Sequence, residues 1–160
     1  MIRTLLLDFS YTLCFPKTKE TIESLNGLYK QILQDDSTAQ ALDNFLINQE
    51  LLDYLLTLRT HCRLYVFTSG TMHTDPVISH MLKPVFDGYI TSIELNMPKA
   101  YPNTYKVIAN KLDVTTNEIL FIDDQQKNVV AAITAGANAI RYTNNTETIR
   151  QIKKLLETVS

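Results

Sequence analysis

Four short apolar runs are each followed by residues able to do chemistry. TLLL leads into Asp8-Phe9-Ser10-Tyr11-Thr12, LYVF into Thr68-Ser69-Gly70, YITSI is followed by Lys99, and ILFI ends on Asp123-Asp124. Two like charges about 4 Å apart repel by roughly 4 kcal/mol at an effective dielectric of 20, so Asp8, Asp123 and Asp124 can converge only around a compensating cation. Hard carboxylate oxygens with few protein ligands and room for water suit Mg2+, and Mg2+ beside a lysine suits a phosphoryl group. Asp8 is then a nucleophile held against phosphorus. Thr68, by hydroxyl and backbone donors, and Lys99, as a point charge, bind the phosphoryl oxygens, with Ser69 and Gly70 in the same substrate-binding loop. Any one of these residues alone reads equally well as a polar cap on a sheet end. Four successive strand ends that agree favour a site.

Those residues converge only if the apolar runs lie side by side. Thr4–Leu7, Leu64–Phe67, Tyr89–Ile93, Ile119–Ile122 and Ala139–Tyr142 read as strands buried on both faces, separated by segments of helical period. The expected fold class is therefore α/β, a five-stranded parallel sheet flanked by helices, in one domain over 1–160. Ligands in such sheets gather beyond the carboxyl ends of the strands. Helices are expected over the stripe Ile22–Leu33, over Leu42–Leu46 and over Leu51–Leu58. Later helices are expected after the cap Asp75-Pro76, from Tyr101-Pro102 to Leu112, over Gln126–Ala135 and over Thr146–Val159. The first crossover takes about fifty residues, far beyond the dozen a simple one needs. Residues 14–48 therefore read as a small helical insertion, acting either as a lid or as an extension of one helical layer.

Composition narrows the function classes. With 160 residues, 45% of them hydrophobic, the chain can hold an ordinary core without disulfides or a structural metal. A net charge of -2 and a pI near 5.9 give no basic surface for a phosphate backbone, so nucleic acid is excluded as a partner. Cys14 and Cys62 form neither a CxxC pair nor a disulfide framework and read as buried thiols of a cytoplasmic protein. The apolar run at the N-terminus is broken by Asp8, too early for a signal segment or a membrane span.

The ordered set TLLLDFSYTL, LYVFTSGT, MPKAYPNTYKVIANKLDV and ILFIDDQQKNVVAAITAGA resembles the haloacid dehalogenase-like (HAD) superfamily of phosphohydrolases and phosphotransferases. Each motif is short and the set is specific, covering nearly the whole chain outside residues 14–48. The resemblance implies a Rossmann-like sheet, an aspartyl-phosphate intermediate and Mg2+. By position Asp8 matches the nucleophile, Thr12 the threonine of the first motif, Thr68 the hydroxyl of the second and Lys99 the lysine of the third. Asp124 matches the metal-binding acid, Asp123 its partner in members with a double aspartate, and the residue-10 carbonyl a metal ligand. Asn128 takes a polar position that bonds inward in the family; a place on the helix surface is the other reading.

Two departures stand out. Ser10 occupies the position where phosphatases of the family carry a second aspartate, which protonates the leaving oxygen and later activates water. A positioned carboxyl contributes about 10²–10⁴-fold, and a hydroxyl of much higher pKa does not replace it. Tyr11 stands at the usual glycine, which implies a loop that avoids positive φ or closes differently. The expected function is a slow Mg2+-dependent phosphohydrolase or phosphotransferase of a small phosphorylated metabolite. The competing class is a catalytically inactive binding or regulatory module. A dehalogenase is disfavoured by the double aspartate and by the lack of arginine between Asp8 and Arg59. A phosphonatase would need a Schiff-base lysine from Lys17, Lys19 or Lys30, which read as solvated surface residues. His73 follows the second motif as a cap or surface residue, and Cys14 reads as packed.

Overall fold

The computed structural model describes residues 1–18, 22 and 24–157. In chain order the elements are β1 (Thr4–Leu7), β2 (Cys14–Pro16), α1 (Leu25–Asp35), α2 (Ala41–Asn44), β3 (Phe45–Ile47), α3 (Gln49–Leu58) and β4 (Arg63–Thr68). A short 3-10 turn (Met72–Thr74) leads to α4 (Pro76–Leu82), β5 (Gly88–Thr91), α5 (Ser92–Leu95) and α6 (Pro102–Lys111). The chain ends with β6 (Ile119–Asp123), α7 (Gln126–Thr134), β7 (Asn138–Arg141) and α8 (Asn145–Glu157). The order β5-β4-β1-β6-β7 makes one five-stranded sheet whose neighbours all pair in parallel.

The fold class expected from the sequence is the one observed. β1 is central, with Leu7 in register with Val66 on one side and Ile122 on the other. The chain builds outward from β1 through β4 to β5, then returns to place β6 on the opposite flank. That reversal opens a crevice between the carboxyl ends of β1 and β6, where a doubly wound sheet binds its ligand.

Alternate side chains of each strand feed opposite layers, as a period of two requires. Leu5, Leu7, Leu64, Val66 and Ile122 pack with Leu51 and Leu55 of α3, Ile78 of α4 and Ile152 of α8. Leu6, Phe67, Phe121 and Ile90 pack with Tyr105 and Ile108 of α6 and Ala131 and Ala132 of α7. Among the described residues no helix is long and apolar enough to cross a membrane. Asp75 caps α4 by accepting from Val77 N and Ile78 N, ahead of Pro76, as the sequence suggests.

Several local expectations are corrected. Residues 14–48 are not purely helical: β2 and β3, which flank α1 and α2 in the sequence, pair antiparallel with Phe15 opposite Leu46. Phe45 and Leu46, expected in a helix, lie in β3. Ile93 belongs to α5, because Thr91 and Glu94 form a capping box that stops β5. Tyr11 adopts φ 59°, so the loop after β1 keeps the left-handed turn without a glycine. Tyr11 N donates to Cys14 O (2.8 Å) and its hydroxyl to Ile22 O (2.8 Å), which hold that conformation. The helix expected to reach Val159 is seen to Glu157, and residues 158–159 lie outside the described part.

Asn48 joins three of these pieces. It is 8% exposed, and its Nδ2 lies 2.9 Å from Thr12 O, 3.1 Å from Tyr142 Oη and 2.8 Å from Asn145 Oδ1. Its Oδ1 accepts from Asn145 Nδ2 (2.9 Å) and Leu51 N (3.3 Å). Asn48→Ala strands these groups in a dry place, so it should cost about 1–3 kcal/mol, read as a lower urea midpoint. An unchanged midpoint would show that the network contributes nothing to folding.

Candidate active site

Asp8 follows β1 directly, and its backbone N donates to Ile122 O (2.8 Å), which pins it beside β6. Asp123 is the last residue of β6 and is fully buried. Lys99 comes from the loop between α5 and α6, where Tyr105 Oη donates to its carbonyl (2.8 Å). Its ammonium pairs with Asp8 Oδ1 and lies 3.3 Å from Asp123 Oδ2. The rings of Phe67 and Phe121 stand 5.2 and 6.0 Å from Nζ, so the cation sits against aromatic faces as well as acids. Asn128 turns inward from α7 and donates through Nδ2 to both Asp123 oxygens, at 3.0 and 3.1 Å. Gln125 N adds a bond to Asp123 Oδ1 (2.8 Å). Asp123 is thus engaged at both oxygens by Lys99, Asn128 and Gln125.

Asp124 is different. Its Oδ1 is buried with no hydrogen-bond partner among the described residues. Carboxylate oxygens of Asp8, Asp123 and Asp124 lie within 4.8 Å of one another. An orphaned, buried carboxylate oxygen beside two other acids is an unbalanced charge that a hard divalent cation would satisfy, and the all-oxygen donor set fits Mg2+. Burial raises the Asp8 pKa above the ordinary carboxylate range, against the pull of Lys99, and Asp123 and Asp124 add to the rise. Burial and then the Asp123 charge raise Asp124 in the same direction.

A cavity of about 360 Å³ opens over Asp8 and Lys99, and Ser10, Ser69 and Asn128 also line it, whereas Gly70, Asp123 and Asp124 lie off its wall. Thr68 lies just behind the wall, 2% exposed, with its Oγ1 accepting from Gly70 N (3.2 Å). Thr12 is fully buried, off the cavity wall, and its Oγ1 has no partner among the described residues. Tyr11 stands on the cavity wall and also packs edge-on against Phe15. The sequence reading missed Ser24, Asn26, Ser92 and Lys127, which share the cavity wall. Ser24 and Asn26 sit at the start of α1, and only long-range docking brings them there.

The remaining candidates separate cleanly. Lys17 donates to Leu42 O, and neither it nor Lys30 lines the cavity. Lys19 lies outside the described residues. His73 is buried rather than a surface residue, with its ring 4.9 Å from that of Tyr89, and burial lowers its pKa. Burial pushes the Cys14 thiol up to about 12, so it is an inert packed residue.

The chain is similar to known proteins in sequence and in fold. The family model described as "Hydrolase: haloacid dehalogenase-like hydrolase" matches residues 16–136. Over 79 residues the chain is 38% identical to the Enolase-phosphatase E1 of Methylococcus capsulatus, a match covering 46% of this chain and 34% of that protein. The chain thus spans about a third of the length of that relative. A protein from Porphyromonas gingivalis described as a "predicted HAD-like family hydrolase" superposes with a TM-score of 0.71 at 18% identity, covering 98% of both chains. A HAD family enzyme from Bacteroides thetaiotaomicron, crystallised with magnesium and inorganic phosphate, has a TM-score of 0.62 at 17% identity, covering 89% of this chain and 95% of that one. At such identities the two structures speak for the fold.

Proposed function

The chain belongs to the haloacid dehalogenase-like hydrolases, and on that premise we propose that it is a Mg2+-dependent phosphohydrolase or phosphotransferase of a small phosphorylated metabolite. The observation that carries this reading is the trio Asp8, Asp123 and Asp124, with Lys99 bonded to two of them and with Asp8 and Lys99 opening on a cavity. Asp8, Asp124 and the Ser10 carbonyl would hold the metal. Asp123, already engaged by three partners, would help mainly by orienting Lys99. Bound there, Mg2+ would neutralise charge on the phosphoryl oxygens and keep Asp8 ionised.

Asp8 attacks phosphorus, the bond to the leaving oxygen breaks, and an acyl phosphate forms on its carboxylate. Lys99, Thr68 and the backbone around Ser69 hold the phosphoryl oxygens during that transfer. Ser10 supplies no carboxyl to deprotonate the incoming water, so hydrolysis of the acyl phosphate runs slowly, and its formation is slowed as well only where the leaving oxygen needs a proton. Ser10 is also what favours the second reading, a metal-binding module without turnover. Hydrolysis of p-nitrophenyl phosphate, with and without Mg2+, separates the two: Mg2+-dependent release supports the enzyme, and none at any concentration supports the module.

Metal binding has its own signature in stability. Asp8 and Asp124 have raised pKa values in the fold, so above the ordinary carboxylate range the native state binds more protons than the unfolded chain. Without Mg2+ these two groups therefore make stability fall as pH rises from that range towards their raised values. Millimolar Mg2+ should raise Tm, by more at pH 8 than at pH 5, and Asp124→Ala should abolish the shift. A wild-type Tm indifferent to Mg2+ at pH 8 would remove the metal from the account.

A further inference from the structure

Asp124 enters the acid cluster from a backbone that β7 and its first following residue hold on both sides. Arg141, the last residue of β7, lies in register with Asp123, and Tyr142 N donates to Asp123 O (2.9 Å). Arg141 Nε donates to Asp124 O (3.0 Å), and Gln125 N donates to Asp123 Oδ1 (2.8 Å). The peptide between Asp124 and Gln125 is a rigid plane, bonded at its carbonyl end by Arg141 and at its amide end by Asp123. With the preceding peptide tied to Tyr142, both soft torsions of Asp124 are set, and so is the direction in which its side chain leaves the backbone. Asp124 lies in the bend between β6 and α7, and Arg141 Nε is the only donor to its carbonyl among the described residues. The carboxylate aimed in this way has a buried Oδ1 with no partner, beside Asp8 and Asp123. Arg141 itself is exposed, and among the described residues it forms no ion pair with any of the three acids.

We propose that Arg141 is a positioning residue for the metal site, whose bond from Nε to Asp124 O holds the Asp124 carboxylate where Mg2+ needs a ligand. The inference rests on the metal reading above and adds a residue from β7, a strand that lends the cavity no side chain. Mg2+ takes its ligands at about 2.0–2.1 Å in near-octahedral order, so a carboxylate free to swing is a poorer ligand. Removing the partner that orients a ligand weakens metal binding by about 10–100-fold. Charge alone works in the opposite direction. A guanidinium near the site repels Mg2+, so neutralising Arg141 would tighten binding if only Coulomb's law acted. The sign of the change therefore separates the hydrogen bond from the charge.

The test is a calorimetric titration of Mg2+ into the full chain at pH 8, with the metal-free Tm measured alongside, for wild type, Arg141→Met and Arg141→Gln. Methionine keeps the length of the side chain and donates nothing. Glutamine places its Nε2 as many bonds from Cα as the arginine Nε, so it restores a donor without the charge. Arg141→Met should bind Mg2+ at least about tenfold more weakly. Its metal-free Tm should stay close to that of wild type, because the lost bond lies at the surface, where water replaces it. Arg141→Gln should recover most of the affinity. Unchanged or tighter binding in Arg141→Met overturns the proposal. A loss that Arg141→Gln shares overturns it too, as does one matched by a fall in metal-free Tm, which would leave Arg141 a brace for the fold alone. If wild type itself binds no Mg2+, the metal reading falls and takes this inference with it. If wild type and Arg141→Met bind equally well, the metal reading stands and only the role of Arg141 is lost.

Discussion

Asp8→Asn should lower steady-state hydrolysis of p-nitrophenyl phosphate by at least about 10³-fold, because an amide cannot serve as the nucleophile that a carboxylate provides. The substitution preserves volume, and the backbone bond from residue 8 to Ile122 O does not depend on the side chain. Lys99 keeps Asp123 as a partner at 3.3 Å. One of three crowded acids also loses its charge, which relieves repulsion with Asp123 and Asp124. The variant should therefore stay folded while its activity vanishes, as circular dichroism and the assay on one preparation can show. A folded variant that keeps a tenth of the rate would take Asp8 out of the reaction.

Ser10→Asp should act in the opposite direction, raising the rate by at least about tenfold, within the range expected of one positioned carboxyl. Ser10 lines the cavity with Asp8, and the turn that carries it is held by Leu13 N and Cys14 N donating to Phe9 O, both at 2.9 Å. A side chain there starts from a fixed backbone, the condition for useful positioning. The new carboxylate also joins Asp8 and Asp124, so without Mg2+ the variant should melt below wild type and recover when the metal is added. An unchanged rate in a folded Ser10→Asp protein would mean that residue 10 does not face the leaving oxygen.

Much of this is legible in the sequence because central parallel strands are buried on both faces and leave unbroken apolar runs. TLLL and ILFI in β1 and β6 show it, and the acids that end them mark the crevice by position alone. β5 is the instructive failure. Its apolar run continues to Ile93, but Thr91 and Glu94 carry a capping-box spacing that ends the strand. β2 and β3 are three residues each, too short for periodicity to register, so by pattern alone Phe45 belongs to a helical stripe. Tyr11 defeats the rule that a left-handed turn wants glycine, because its hydroxyl and the aromatic packing against Phe15 offset the roughly 1 kcal/mol cost. Asn26 had no local signal at all. Its place depends on Tyr29 meeting Asp75, 46 residues away, and on a missing Cβ at Gly70.

The central claim, that Asp8 carries the phosphoryl group, is tested most directly by trapping it. The protein is mixed with p-nitrophenyl phosphate and Mg2+, quenched in acid within the first turnover and digested for mass spectrometry. With water attack deprived of its carboxyl at residue 10, the acyl phosphate should accumulate. The account predicts a phosphoryl adduct on the peptide containing Asp8, absent from Asp8→Asn and lost on mild alkaline treatment. Release of p-nitrophenol with no adduct on Asp8 at any quench time, or an adduct on another residue, would contradict it.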